Sequence, residues 1–528
     1  MAGLATRRAR LSQVLTTALA IDESTLPQAD RITRSVLIGE LESGLAWLDC
    51  GQEAWAVDPL EGPPAHLFDI PSYQAVRTPG EGRAMVGRWR QIPDYLARHV
   101  ANLERGLGDG RVAARDPVRR VVDQLESILA RPAEEWPLAD PGREERPDWS
   151  SADSQRFREE LEAAVVAEVR PAFERYHRFL RDRLLPETRP QDRAGIMHMP
   201  DGRETYRRLI RVHTSLPLSA DELHATGLRE LERIDGEMAE LGAAVLGTAN
   251  RQETLARLRT DPALKFATRD EVFAKAESAL ARARERIPGW FGRLPAAGCQ
   301  VVRMPEHEEK HSTIAYYRQP ADDGSRPGRY FINTSEPATR PRYEAEVLAY
   351  HEAIPGHHLQ VAIAQELEGL PAFRRHLGVT AFWEGWALYT ERLSDEMGLY
   401  SGELDRIGVL SFDAWRACRL VVDTGMHALG WSRLDAIDLM LEHTALGENN
   451  IANEVDRYLV WPAQALAYKT GQLEILRLRA LAESRLGDRF DVRAFHDAVL
   501  TNGAVGLGTL RAIVERWVEG SPVPAGTA

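Results

Sequence analysis

The stretch Ala349-Tyr350-His351-Glu352-Ala353-Ile354-Pro355-Gly356-His357-His358-Leu359-Gln360 constrains this chain more than any other. It begins as a helix and cannot continue as one. Proline removes a helix hydrogen bond and clashes with the preceding turn, while glycine accepts irregular backbone angles. A His-Glu pair followed by further histidines is the core pattern of a zinc hydrolase. The histidines hold the metal and the adjacent Glu352 deprotonates bound water. The usual spacing puts the two histidines one turn apart, and this chain breaks it. On an unbroken helix His357 would lie about 240° around from His351, and His358 would share the face but sit about 10.5 Å further along. Zinc–nitrogen bonds near ~2.0 Å do not span either gap. A looped insertion at Pro355-Gly356 would bring His357 to the position of the second ligand, with His358 as the alternative.

Catalytic zinc takes a third protein ligand and keeps one position for water. Trp383-Glu384-Gly385-Trp386-Ala387-Leu388-Tyr389 supplies the candidate. Glu384 interrupts an otherwise apolar helix, where an ionised carboxylate is costly unless paired or coordinated. Glu391, two turns on, shares its face and is the reserve ligand or a partner of the ligands. Trp383 and Trp386 are read as core.

Around this segment helical periodicity dominates. Ile92–Gly106, Val118–Leu129 and Phe157–Leu185 carry apolar residues at three- and four-residue spacing, and Pro186 stops the last. Ser219-Ala-Asp-Glu222 and Thr268-Arg-Asp-Glu271 match the capping box, so helices are expected over about 220–243 and 269–286. Gln300–Met304, Thr313–Tyr317 and Arg329–Asn333 read as short strands, followed by a helix over roughly Arg342–Ile354. The expected fold is mainly α, with a small β-sheet beside the metal-binding helix. Residues 1–130 form an N-terminal helical part. Residues 131–154, rich in proline and charge, form a linker or exposed loop. Residues 155–528 form the catalytic part, with the sheet near 300–334, the metal site near 342–395 and C-terminal helices completing a cleft.

Composition narrows the partners. The 528 residues hold 66 Lys+Arg against 79 Asp+Glu, a net charge of −13, which argues against nucleic acid. Cys50, Cys299 and Cys418 are far apart and show no metal or disulfide spacing. No apolar run reaches the ~18–20 residues of a membrane span. Leu11–Ala20 is too interrupted for a signal peptide, so a cytoplasmic protein is expected.

A zinc peptidase also needs a group for the oxyanion formed when water attacks the carbonyl. Tyr458 and Tyr468 are the candidates. Gln464, Lys469 and Arg479 follow in the same region as substrate-binding candidates. Lys469 is one of only four lysines in an arginine-biased chain. Arg479 is a candidate for gripping a substrate carboxylate. The Tyr316-Tyr317 strand, with Tyr317 facing substrate, offers an edge to an extended peptide. His198, His213, His307, His311 and His496 show no metal-like spacing and are read as structural or exposed.

These motifs resemble the bacterial family known as domain of unknown function 885, grouped with helical zinc metallopeptidases of the thimet-oligopeptidase type. The resemblance rests on His351–Gln360 and Trp383–Ala387. It is supported by Pro200-Asp201-Gly202, Tyr206, His213-Thr214, Ser312–Asn333, Arg457-Tyr458, Pro462–Ala465, Tyr468–Gly471, Arg479 and Phe495-His496-Asp497, and it covers roughly residues 10–520. One departure is Gly506, where the family usually carries proline. The resemblance implies a gluzincin-like helical architecture around a deep cleft. It implies His351, His357 and Glu384 as zinc ligands, and Glu352 as general base. The expected activity is hydrolysis of peptide or amide bonds in short peptides or amino-acid conjugates, carboxypeptidase-like if Arg479 or Lys469 binds a terminal carboxylate. Two other readings use the same residues. One is a non-haem iron enzyme built on the two-His-one-carboxylate set. The other is an inactive helical binding protein.

Overall fold

The computed structural model describes residues 2–309 and 313–520; Lys310, His311, Ser312 and the side chain of His307 lie outside what it describes. The elements that frame the site and its surroundings are labelled in chain order. They are α1 (Ala2–Leu19), α2 (Gln28–Cys50), α3 (Gly202–Thr214), α4 (Ala345–Glu352), α5 (His357–Gln365), α6 (Thr380–Glu396), α7 (Glu403–Ala428), α8 (Glu448–Val460), α9 (Leu466–Leu486) and α10 (Leu507–Gly520). The strands are β1 (Cys299–Arg303), β2 (Ala315–Arg318) and β3 (Gly328–Ile332).

The helices expected from periodicity form. Ile92–Gly108 and Arg115–Leu129 extend the expected spans slightly, and Ala220–Leu246 starts at the capping box of Ser219 and Glu222. Arg269–Arg286 is capped by Thr268, whose side chain accepts from the Glu271 N–H. The long helix expected at 157–185 runs from Ser151 to Leu184, with π-helical turns over Val165–Val169 and Phe179–Leu184. Periodicity of 3.6 carries no signal for such widened turns.

Within the expected linker, residues 131–142 dock onto the N-terminal helices, 143–150 is largely exposed, and Ser151 begins the next helix. Ala133, Trp136, Leu138 and Ala139 are buried, and the Trp89 indole donates to the Leu138 carbonyl at 2.9 Å. Two short 3-10 turns, Ala133–Glu135 and Pro137–Gly142, fold the segment onto the N-terminal helices. Its prolines end helices, but Trp136 and Leu138 supply enough apolar surface to dock.

The sheet has the order β1-β3-β2, with β1 parallel and β2 antiparallel to β3. Its strands lie within one or two residues of the expected ones. Tyr330 and Ile332 of β3 share a core with Val347 and Tyr350 of α4, Leu359 and Ile363 of α5, and Phe382 and Trp386 of α6. That shared core fixes the sheet against the metal-binding segment.

α6 and α9 approach closely through glycine. A Cβ on Gly385 would overlap the Gly471 backbone, and a Cβ on Gly471 would overlap the Ala381 carbonyl oxygen. Gly385 directly follows Glu384, so this contact sets how far that carboxylate reaches. Gly385→Ala should therefore force the two helices apart and cost about 1–3 kcal/mol by overpacking. Denaturant unfolding checks this: an unchanged midpoint would show that the close approach has no energetic weight.

Candidate metal centre

α4 stops at Glu352 and α5 starts at His357. Between them Ala353 (ψ −105°) and Gly356 (ψ −129°) leave the helical region, and the Ile354-Pro355 peptide is cis. Gly356 is required by proximity: a Cβ there would overlap the carbonyl oxygens of His351 and Tyr350. The loop is fastened from α6, where the Trp386 indole donates to the Pro355 carbonyl at 3.0 Å. One helix thus carries both Glu384 and the clamp that shapes the histidine loop.

The break brings the expected residues together. Nε2 of His351 and Nε2 of His357 each lie 3.6 Å from Oε2 of Glu384, and the three ligand atoms fall within 4.8 Å of one another. Ligand bonds of ~2.0–2.1 Å in a tetrahedral arrangement separate donors by roughly 3.3 Å, so this set fits around one divalent ion with small adjustment. The chemistry of the set fits as well. Nδ1–H of His351 donates to Oε1 of Glu391 at 2.8 Å, which leaves the Nε2 lone pair directed at the shared point. The Tyr400 hydroxyl donates to the Glu391 carbonyl at 2.8 Å and steadies that turn of α6. Burial alone would lower the His351 pKa, but Glu384 and Glu391 beside it pull it up to about 9. Burial likewise opposes ionisation of Glu384, yet His351 and His357 hold its carboxyl well below the usual range. A cation at the centre would take over the role that protons play among these groups.

His358 points elsewhere. Its Nε2–H donates to the Ala297 carbonyl and its Nδ1 accepts from the Tyr317 hydroxyl, both at 3.0 Å. Burial pushes its pKa down to about 4, so the ring is neutral. It packs against Gly328 of β3, where a Cβ would overlap the ring. His358 thereby docks the sheet onto α5, and Tyr317 serves that contact.

The remaining candidates separate. Tyr468 is half-buried beside the triad. Burial and the Glu384 carboxylate push its pKa up, opposed by Arg419, Arg457 and a hydrogen bond with Gln464. The Arg419 guanidinium stacks 4.3 Å from its ring centroid. Gln464 also accepts from Arg457 at 2.9 Å. Tyr458 is committed: its hydroxyl donates to Glu454 at 2.7 Å and accepts from Arg419 Nε at 2.9 Å. Lys469 is sealed between Asp413 and Glu230. Arg479 is clamped by Glu396 and Glu483 and reaches the Tyr389 hydroxyl at 3.2 Å. Tyr458, Lys469 and Arg479 therefore act in the framework, because partners on their own and on neighbouring helices occupy their polar atoms. His496 is buried and bonded to Tyr389 and the Trp290 carbonyl, and His198 is exposed.

Sequence reading missed Arg416. It is buried on α7 with Nη2 4.0 Å from Glu391, and its guanidinium carbon lies 4.3 and 4.4 Å from the Phe412 and Trp415 ring centroids. The available signal was a charge inside the apolar run of α7, which the abundance of arginine in this chain masks.

Comparison with known proteins places this geometry. The sequence pattern described as "Bacterial protein of unknown function (DUF885)" matches residues 1–514. A search of curated proteins finds no match. A solved structure described as a "putative lipoprotein" from Colwellia psychrerythraea is 28% identical and superposes with a TM-score of 0.91, over 98% of this chain and 91% of that one. A "putative lipoprotein of unknown function" from Shewanella oneidensis is 18% identical with a TM-score of 0.76, over 98% and 93% of the two chains. A "putative oligoendopeptidase F" from Bacillus anthracis reaches a TM-score of only 0.26 at 10% identity, too low to indicate a shared fold. The expected cytoplasmic location is overturned: both of these similar solved structures are of proteins named as putative lipoproteins. Among the described residues no helix is long and apolar enough to cross a membrane.

His357→Ala should abolish stoichiometric metal binding, whereas His358→Ala should keep it. Glu391→Gln should weaken it by about 10–100-fold while leaving the ligands in place. Metal titration of the three variants checks this; retention by His357→Ala with loss by His358→Ala would reverse the ligand assignment.

Proposed function

The chain belongs to the bacterial family of unknown function DUF885, and for this member we propose zinc-dependent hydrolysis of a peptide or amide bond in short peptides or amino-acid conjugates. The observation that carries the reading is the convergence of His351, His357 and Glu384, with Glu352 next to a ligand and not among the three. Zinc, when bound, would polarise the scissile carbonyl and acidify a water molecule. His351, oriented by Glu391, and His357 and Glu384 would hold the ion. Glu352 would take the proton of the attacking water and pass it to the leaving amine, so that one water is consumed per bond cleaved. Tyr468 would donate its hydroxyl to the carbonyl oxygen as that oxygen becomes negative. Its nearness to Glu384 and its partial exposure support that role; Tyr458 has no free hydroxyl to offer.

The second reading, a non-haem iron enzyme, has the same three ligands. A carboxylate beside a ligand, free to move a proton, favours hydrolysis over oxygen chemistry. An inactive binding protein would need neither the free carboxylate nor the outward Nε2 of His351.

Metal analysis of purified protein should return stoichiometric zinc; iron would overturn the assignment. Glu352→Gln should retain zinc and lower turnover of short peptides by about 10²–10⁴-fold, read by mass spectrometry. Wild-type turnover in that variant would remove Glu352 from the reaction. Tyr468→Phe should lower kcat by roughly 10²-fold with zinc content unchanged; wild-type kcat would assign the oxyanion to another donor.

A further inference from the structure

The turn between α8 and α9 carries a backbone conformation that its sequence does not favour. Ala463 sits at φ +69° and is fully buried. That left-handed region crowds the Cβ of an L-residue, and glycine visits it freely, asparagine and aspartate only occasionally. Alanine has no polar side chain to compensate. The other non-glycine residues with positive φ among the described ones, Asp201, Ser215 and Glu336, all carry one.

Asp423 of α7 holds this conformation from outside the turn. The Ala463 N–H donates to both of its carboxylate oxygens, Oδ1 at 3.0 Å and Oδ2 at 3.2 Å. The Tyr206 hydroxyl of α3 donates to Oδ1 at 2.5 Å and fixes the carboxyl from the other side. Asp423 is fully buried, and burial pushes its carboxyl up to about 7. A buried carboxyl is costly unless hydrogen bonds offset its lost hydration, so what this one contributes lies in these contacts. Nothing in the reaction proposed above uses it.

The turn leads directly to the group proposed for the oxyanion. Gln464 follows Ala463; its Oε1 accepts from Arg457 at 2.9 Å, and its side chain is hydrogen-bonded with Tyr468. The N–H groups of Leu466 and Ala467 donate to the Ala463 and Gln464 carbonyls at 3.2 Å, so the turn sets how α9 begins. Tyr468 lies in that first turn of α9, three residues before Gly471 and on the same face. Gly471 is where α9 rests on α6 beside Glu384. If Ala463 relaxed to negative φ, its carbonyl and the Gln464 side chain would swing away, and Tyr468 would lose its partner on that side.

We propose that Asp423 is a positioning residue for bond cleavage: by holding Ala463 in the left-handed region it places Gln464 and, through it, the Tyr468 hydroxyl at the metal centre. The inference rests on the hydrolase reading for its catalytic consequence. With Oε1 of Gln464 engaged by Arg457, the amide N–H groups are left for Tyr468. The phenol oxygen then accepts from them and keeps its own proton for the carbonyl oxygen of the substrate. Asp423 acts through two intermediaries and is not itself a catalytic residue.

3-Fluorotyrosine in place of Tyr468 reports the surroundings of the phenol by fluorine NMR with or without turnover, so failure of this proposal and failure of the hydrolase reading are distinguishable. Full-length protein carries Asp423→Ala together with Tyr206→Phe, so that no hydroxyl is left unpaired. Tyr206→Phe with Asp423→Leu is the second variant and fills the space should the first not fold. In either, the fluorine resonance should move from its wild-type position or split. Adding Ala463→Gly should return it, because glycine holds the left-handed region without help. In unlabelled protein the same Asp423 variants should lower kcat on short peptides by about 10–10²-fold, with KM and zinc content unchanged, and Ala463→Gly should recover most of the loss. A merely structural role of Asp423 would not respond to Ala463→Gly, which restores none of its contacts. A wild-type resonance in the Asp423 variants, or a displaced one that Ala463→Gly leaves displaced, would overturn the proposal. A resonance displaced and then restored in protein that cleaves no peptide would support the placement and count against the hydrolase reading instead.

Discussion

The indole of Trp386 donating to the Pro355 carbonyl ties two distant segments into one geometry. Without the break after Glu352, His357 would sit on the wrong side of a helix. Without a fixed exit from the break, its imidazole would have no defined position relative to Glu384. The clamp comes from the helix that bears Glu384, so the His357 loop is fixed to that helix, and Glu391 of the same helix orients His351. Gly385 and Gly471 complete this arrangement by letting α9 lie directly on α6. A metal centre built in this way depends on backbone proximity at glycines at least as much as on the ligands themselves.

The surroundings of the triad are heavily charged yet buried, and each charge is offset from another helix. Asp413 of α7 meets Lys469, Arg392 and Arg233. Arg419 meets Glu454 and the Tyr458 hydroxyl. Asp423 accepts from the Tyr206 hydroxyl at 2.5 Å and from the Ala463 N–H, and burial still pushes its carboxyl up to about 7. Buried ion pairs of this kind add little net stability, because desolvation consumes most of the attraction. Removing one partner is costly, however, so they fix how α7, α8 and α9 stand relative to one another. That registry holds Tyr468 at the triad while Tyr458, ten residues earlier, is locked into the framework.

The difference between what could and could not be read from the sequence follows from the same physics. Helices with a clear 3.6 period and a capping box formed close to their expected limits, because those signals are local. The triad was legible for a related reason: few residue types bind metal, and a proline-glycine pair inside a histidine motif admits few geometries. Lys469 and Arg479 misled because their partners are remote. Asp413 lies 56 residues from Lys469 and Glu396 lies 83 from Arg479, and no local pattern announces either pair. Residues 131–154 misled for the opposite reason. Proline and charge density argued for a solvated loop, and most of 143–150 is one, but Trp136 and Leu138 dock the first half.

His213 shows that a residue can have the pattern of a core histidine and still lack the pairing of one. Alone on α3, between Val212 and Thr214, it has the pattern of a core histidine, and by burial it is one. A satisfied core histidine uses both ring nitrogens, as His496 and His427 do here. His213 and His99 differ, each with a buried Nε2 that has no partner among the described residues. An apolar residue of similar size would pack at either position without leaving a nitrogen unpaired.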